Sequence, residues 1–363
     1  MLLMHPVRVQ LDDFVDRLCY RYTPMLLALF MFITGTVDYI GKPINCMVPN
    51  EFSEAWVEFV HQYCYVTGTY VKYYHFNGEN DQSTKIYVHY YQVSGFPFVI
   101  IVQALLIRIP FFLWRLGQRI PDVDFNHVNE LCWESRLSSG EKREQKLTEA
   151  AEYIFGVLLP KSRGNGLGCC ACFMYLLFKL MNIFVNGAQL FFLTHFVGYK
   201  NWRWGITLIE SIWRNNGWQE EFTYFPRISY CEFGRDFWDI RTAVFSAKFD
   251  SIFLWSLKVF LFLYFWYLAL IFLTVFNSFL FIARLMRPFQ LYSAKSFLKL
   301  VPTEIEGWNV RQFEDELLGL DGLLLMRFVR QNSGPLVACE LGARLYENLQ
   351  KTDNKNDIEL DVE

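Results

Sequence analysis

The chain has 363 residues, 53% hydrophobic and 18% aromatic, with only 20% charged and a formal net charge of −3. That is less charge than a water-soluble protein of this length carries, and 36 Phe with 20 Tyr are more rings than one soluble core takes in. The near-neutral balance, without a long Lys/Arg block, excludes an electrostatic nucleic-acid surface and predicts no nucleic-acid partner.

Residues 1–21 are predicted to form a cytoplasmic N-terminal helix. Val7, Leu11, Phe14, Val15 and Leu18 recur at the spacing of one helical face. Asp12, Asp13 and Asp16 fall mostly on the other faces, with Arg17 offsetting part of their charge, and the resemblance described below implies them as candidates for lining the mouth of a pore. A helix lying on the membrane surface is the alternative. The lead-in lacks the basic start and small-residue cleavage site of a signal peptide, which predicts a retained, cytoplasmic N-terminus.

About 20 apolar residues carry a helix across a hydrocarbon core roughly 30 Å thick. Four segments meet that requirement: 22–40, 94–114, 173–196 and 252–283. Asp38 stands at the end of the first. If the first span lines the pore of a ring of subunits, which the resemblance described below implies, Asp38 is a candidate acidic collar at the outer mouth, with Lys42 close enough in sequence to neutralise it. The second segment holds Pro110, which has no backbone donor and is a candidate helix kink. It also holds Arg108, an intramembrane charge about 9 Å of helix before Trp114. That distance allows Arg108 to snorkel to the interface, or else to face a wet vestibule.

Between the spans lie loops at 41–93, 115–172 and 197–251. A largely helical region at 284–350 and a disordered acidic tail at 351–363 follow the last span. With the N-terminus inside, the inner segments counted as far as Lys299 hold fifteen Lys/Arg and the outer loops ten. Cys46, Cys64 and Cys231 then face the oxidising exterior, where three cysteines allow at most one bridge among themselves. Residues 67–71 and 85–88 read as short strands. Cys169, Cys170 and Cys172 cluster just before the third span. They are candidates for reversible palmitoylation, or simply small apolar residues at a helix end. Zinc is poorly supported, because no second Cys/His pair stands at ligand spacing. No HExxH, phosphate loop or nucleophile elbow occurs, so no enzyme, metal or cofactor is expected. The expected fold class is mainly α. It is a polytopic membrane subunit of four transmembrane helices, with small disulfide-braced extracellular loops and helical cytoplasmic regions.

Several short runs together carry a resemblance. They are Val15-Asp16-Arg17-Leu18, YIGKPINC at 39–46, Cys64, Tyr90-Tyr91-Gln92, and Ala104-Leu105-Leu106 leading to Ile109-Pro110 and Trp114. Phe225-Pro226-Arg227, Cys231-Glu232-Phe233, Leu320-Asp321-Gly322 and Met326-Arg327 extend the series. Over roughly residues 10–350 the chain resembles the innexins, the invertebrate gap-junction proteins. The resemblance implies a four-helix plasma-membrane subunit with both termini cytoplasmic, set in membrane lipid. It implies a homo- or hetero-oligomeric ring of eight with other innexins, docked on a ring of the neighbouring cell and passing ions and small solutes. It also implies a Cys64–Cys231 bridge between the outer loops, with Cys46 unpaired. The residues alone leave a Cys46–Cys64 bridge, or none, open. In the family the N-terminal segment folds back into the inner mouth of the pore.

The chain departs from the family pattern at three places. The second outer loop has one cysteine instead of two, with Arg-Thr-Ala-Val at 241–244 where the other is usual. Val93 replaces a Trp, and Arg108 an apolar residue. An undocked hemichannel, or an auxiliary adhesion subunit with little conductance of its own, are the alternative functional readings.

Overall fold

The computed structural model describes residues 11–40, 45–48, 50, 52–67, 69–75, 82–88, 96–118, 123–163, 170–196, 203–213, 228–234, 242–248, 251–301 and 307–360. The fold is mainly helical, with one small sheet. Contacts within it define two compact units. One is drawn from residues 1–18, 109–183 and 273–363, the other from 19–108 and 184–272.

Among the described residues, three helical stretches are long and apolar enough to cross a membrane: Pro97–Gly117, Cys170–His195 and Lys258–Arg284. They coincide with the segments predicted at 94–114, 173–196 and 252–283. The segment predicted at 22–40 is the helix Thr23–Ile40, which at 18 residues is shorter than those three. The helix Ser251–Arg284 has 34 residues and so extends about 50 Å, more than a hydrocarbon core needs.

The second of the apolar segments is broken. Helix Phe96–Leu106 stops, Ile107 and Arg108 form a turn, and helix Ile109–Gly117 resumes. Pro110 is the cause: it cannot donate to the Leu106 carbonyl, and its ring clashes with a carbonyl four residues back. Arg108 N–H accordingly bonds the Leu105 carbonyl at 3.2 Å, three residues back instead of four.

In the 19–108/184–272 unit, buried polar side chains tie apolar helices together. Tyr267 donates its hydroxyl to Gln103 Oε1 at 3.3 Å, and Gln189 Nε2 donates to the Gln103 carbonyl at 3.3 Å. Trp266 Nε1 donates to Thr23 Oγ1 at 3.2 Å. Without a hydrophobic force between helices in lipid, such bonds and close packing do the joining.

The same unit carries the sheet. Its strands are β1 (Asn45–Cys46), β2 (Thr69–His75), β3 (Gln82–Val88), β4 (Ile228–Gly234) and β5 (Thr242–Lys248), ordered β1-β5-β4-β2-β3. All pairs are antiparallel. β2 and β3 form one hairpin, β4 and β5 another, and the two join at Tyr70 opposite Tyr230. A lone hairpin is marginal in water, so each stretch of chain needs the other. The helix Glu54–Thr67 packs on β1 and β4. Thr67, expected to begin a strand, instead ends this helix.

The other unit is a helical bundle built around Val128, Ile154, Leu317, Leu325, Phe328 and Leu341. Asp124 starts the helix Phe125–Leu137 by accepting from the amides of Asn126 and His127 at 2.9 and 3.2 Å. Gly334, with φ of 97°, closes the helix Gly319–Ser333, and Pro335 opens the next, Pro335–Leu360. That last helix continues through residues 351–360, where a disordered tail was predicted. A helix already nucleated on a core extends at little cost, and neither Pro nor Gly interrupts 351–360.

Candidate functional site

Two fastenings stand out, one in each unit. The first binds the N-terminal segment to its helical bundle. Lys179, in the helix Cys170–Phe196, is 1% exposed. Its ammonium donates to Asp13 Oδ2 at 3.0 Å and to Asp16 Oδ2 at 3.1 Å. Arg327, on the helix Gly319–Ser333, donates to both Asp13 oxygens at 2.9 and 3.1 Å. Tyr175 gives its hydroxyl to Asp16 at 2.8 Å. Two carboxylates thus meet two cations in a neutral, hydrogen-bonded group, the condition under which buried charge is tolerated. Backbone anchors reinforce it: Trp114 Nε1 donates to the Leu11 carbonyl at 3.1 Å, and Gln331 Nε2 to that of Asp12 at 2.8 Å.

The two acids differ in character. Burial alone would raise Asp13, but Lys179 and then Arg327 outweigh it and hold the carboxyl below its ordinary value. Asp16 is raised, first by burial and then by the charge of Asp13, against which Lys179 compensates only in part.

These contacts correct the expectation that Asp12, Asp13 and Asp16 line an aqueous mouth. Asp12 and Asp16 are 3% and 2% exposed, and Asp13 is also buried. Arg17 lies 3.5 Å from Asp12. The reason is Lys179: an ammonium inside a packed, apolar helix requires carboxylates beside it. The predicted amphipathic face is partly inverted as well, since Leu11 is buried whereas Phe14 is 62% exposed.

The second fastening is covalent. Cys64, on the helix Glu54–Thr67, is bonded to Cys231 on β4, 167 residues later, with both cysteines buried. The bond joins the segment before the β2–β3 hairpin to the β4–β5 hairpin. Cys46, on β1, is a free buried thiol that burial pushes up to about 11. His61 Nε2 hydrogen-bonds the Cys46 carbonyl at 3.3 Å. On the same helix, exposed Trp56 and Phe59 meet edge to face at a centroid distance of 5.9 Å, and half-buried Tyr63 lies tilted against Phe59 at 6.4 Å.

The remaining candidates are spread out. Arg108 is exposed in its two-residue turn, and Pro110 is buried two positions on. Asp38 lies two residues before the end of the helix Thr23–Ile40. Cys170 is half-buried and Cys172 buried, and the Cys172 amide donates to Asp321 Oδ1 at 3.0 Å. Cys169 lies outside the described residues. The burial of Cys172 makes it a poor acceptor of an acyl chain.

Sequence reasoning did not assign Lys179, Tyr175 or Arg327 a role. The usable signal was a single lysine in an apolar run, which must find a carboxylate, together with three aspartates crowded near the N-terminus.

A family model for innexins matches residues 12–349. Innexin unc-9 of Caenorhabditis elegans is 28% identical, over 95% of this chain and 93% of its own length. Innexin-3 of the same organism is 27% identical over 93% and 85%, and its innexin-17 is 25% identical over 94% and 95%. With a matched region that takes in both the Asp13–Lys179–Arg327 group and the Cys64–Cys231 bond, this chain belongs to the innexin family.

Proposed function

We propose that the chain is a gap-junction channel subunit passing ions and small solutes between adjacent cells, as its family membership indicates. The supporting observation is the sheet that two separate stretches of chain build together, tied by Cys64–Cys231. A composite, covalently braced surface of this kind is what docking against a second ring requires. In the proposed topology, 22–40, 94–114, 173–196 and 252–283 span the plasma membrane. The sheet then lies outside, and both termini lie in the cytoplasm. Assembly is an octameric ring, homomeric or with other innexins. The Trp56–Phe59–Tyr63 stripe is a candidate contact between neighbouring subunits, since covering exposed aromatic rings removes apolar area from water.

Paired-cell electrical recording tests the reading, with this chain alone and with a co-expressed innexin. Junctional current that Cys64→Ser abolishes supports it. Surface-delivered protein with no current in either pairing overturns it. One observation favours an auxiliary role in mixed rings: residues 197–251 hold a single cysteine, so one covalent tie braces that segment. Ordering a looser loop on contact costs conformational entropy, which a partner with the full cysteine set would offset. Robust coupling by this chain alone would sink that second reading. Asp38 is proposed to sit at the outer mouth. Asp38→Asn should reduce cation preference, read as a shift in reversal potential under a salt gradient, and an unshifted potential removes it from the pore.

A further inference from the structure

We propose that a pocket at the Arg284 end of the fourth span binds the headgroup phosphate of an anionic phospholipid. The pocket lies wholly within the helical-bundle unit and encloses about 630 Å³, within the range of small-ligand sites. Its walls divide by chemistry. Phe281, Leu285, Phe289, Leu320, Leu323 and Leu324 make the apolar part. Arg284, Arg327 and Arg330 bring three guanidiniums to the same space, and none of the lining residues is acidic.

Only one of those cations is already balanced. Arg327 is paired with Asp13 at 2.9 Å. Arg284 and Arg330 make no salt bridge with another described residue, although Arg284 lies within the field of the Asp13 carboxylate. Two guanidiniums without a salt-bridge partner in a partly apolar recess favour an anion, and the planar fork matches phosphate oxygens in particular.

The surroundings select a lipid over a soluble phosphate. Arg284 is the final residue of the apolar helix Ser251–Arg284. Phe279 and Ile282 just before it are 66% and 46% exposed, and Met286, Phe289 and Tyr292 just after it are 51%, 48% and 76% exposed. The apolar surface of the span therefore runs on to the rim of the pocket. Arg287 and Lys295 add positive charge to the helix Arg287–Phe297. An amphipathic basic helix directly after a span is suited to an anionic membrane surface. A phospholipid uses both halves of the site, with its phosphate on the arginines and its acyl chain along the exposed rings. A free phosphate leaves the apolar walls wet.

The test uses the full chain in phosphatidylcholine nanodiscs carrying a trace of phosphatidylserine with a photoactivatable acyl chain. Cross-links should map to residues 281–297 and 320–331. Unlabelled phosphatidylserine should displace the probe, whereas added phosphatidylcholine, oleate and inorganic phosphate should not. The double variant Arg284→Gln/Arg330→Gln should lower labelling about ten-fold. Leu323→Trp, which fills the cavity and keeps both charges, should lower it likewise. Unchanged labelling in both variants overturns the site. Displacement by inorganic phosphate reassigns it to a soluble anion, and equal displacement by phosphatidylcholine removes the charge argument. Should the double variant fail to assemble, Leu323→Trp and the competition on the unaltered chain still decide. The inference rests on the four-span topology, whose failure would show separately as loss of the chain from the membrane fraction.

Discussion

The two units of this chain solve one problem, holding distant segments together, by opposite chemistry. In the helical bundle, Asp13 and Asp16 are fastened to Lys179 and Arg327 by charge. In the sheet unit, Cys64 is fastened to Cys231 by a covalent bond. A buried ion group draws its strength from being complete, so removing any member exposes the others to the cost of desolvation. A disulfide acts mainly on the unfolded chain and leaves native neighbours nearly indifferent to its loss. The first fastening should therefore be brittle and pH-dependent, the second tolerant of pH but sensitive to reductant.

The sharpest way to break the comparison is Lys179→Met. It leaves two carboxylates buried side by side and should cost about 3–5 kcal/mol. Thermal unfolding of the purified ring measures this, and Lys179→Met/Asp16→Asn should recover part of the loss. Full stability in the single variant would mean the cluster is incidental.

Cys64→Ser should cost about 2–4 kcal/mol, as should Cys231→Ser, and the pair together no more than either alone. The readout is protease sensitivity confined to the sheet unit. Non-reducing peptide mapping should return one peptide pair containing Cys64 and Cys231. Recovery of Cys46 joined to Cys64 would contradict the structure.

The aspartates give a smaller, signed effect. Asp16 lies above the ordinary carboxylate value, so the folded chain takes up its proton before the unfolded chain does. Its contribution to stability therefore rises as pH falls toward 3.8 and is then complete. Asp13 lies below that value, so its contribution is full above 3.8 and is lost as pH falls through its depressed value. Asp16→Asn should flatten the first limb and cost less than Asp13→Asn, which should remove the second. Stability measured against pH for both variants decides, and identical profiles would merge the two acids into one role.

The smallest effect belongs to Cys46→Ser. A thiol raised to about 11 is protonated at neutral pH and should react slowly with a maleimide in the folded ring. The substitution should cost on the order of 1 kcal/mol or less. Rapid labelling, or a loss equal to that of Cys64→Ser, would give Cys46 a partner.

What the sequence made legible follows physical range. Apolar runs are local, so three of the four apolar runs overlap helical stretches long and apolar enough to cross a membrane. Pro110 breaks its helix for a reason contained in one residue. The pairing of Cys64 with Cys231 came only through the family resemblance, because a span of 167 residues says nothing of which cysteines meet. The partnership of Lys179 with Asp13 and Asp16 escaped for the same reason. Each charge was visible and the distance between them was not. The helix Glu54–Thr67 was missed although Trp56, Phe59, Val60 and Cys64 keep helical spacing, since β-branched and aromatic residues nearby suggested strands.

The separation of the two bonded cysteines also sets a schedule. A ribosome adding about 5–20 residues per second needs about 8–30 s to make the chain between Cys64 and Cys231. Throughout that interval Cys46, 18 residues before it, is the nearest thiol to Cys64 in sequence. The correct bond has to wait until the apolar helical stretches Pro97–Gly117 and Cys170–His195 have been made, while the wrong one is within reach from the start. Seating Cys46 on β1 early would hide the competitor, yet among the described residues β1 pairs with β5, which is made later still. A Cys46–Cys64 bond formed in that interval would have to reopen before Cys64 could reach Cys231.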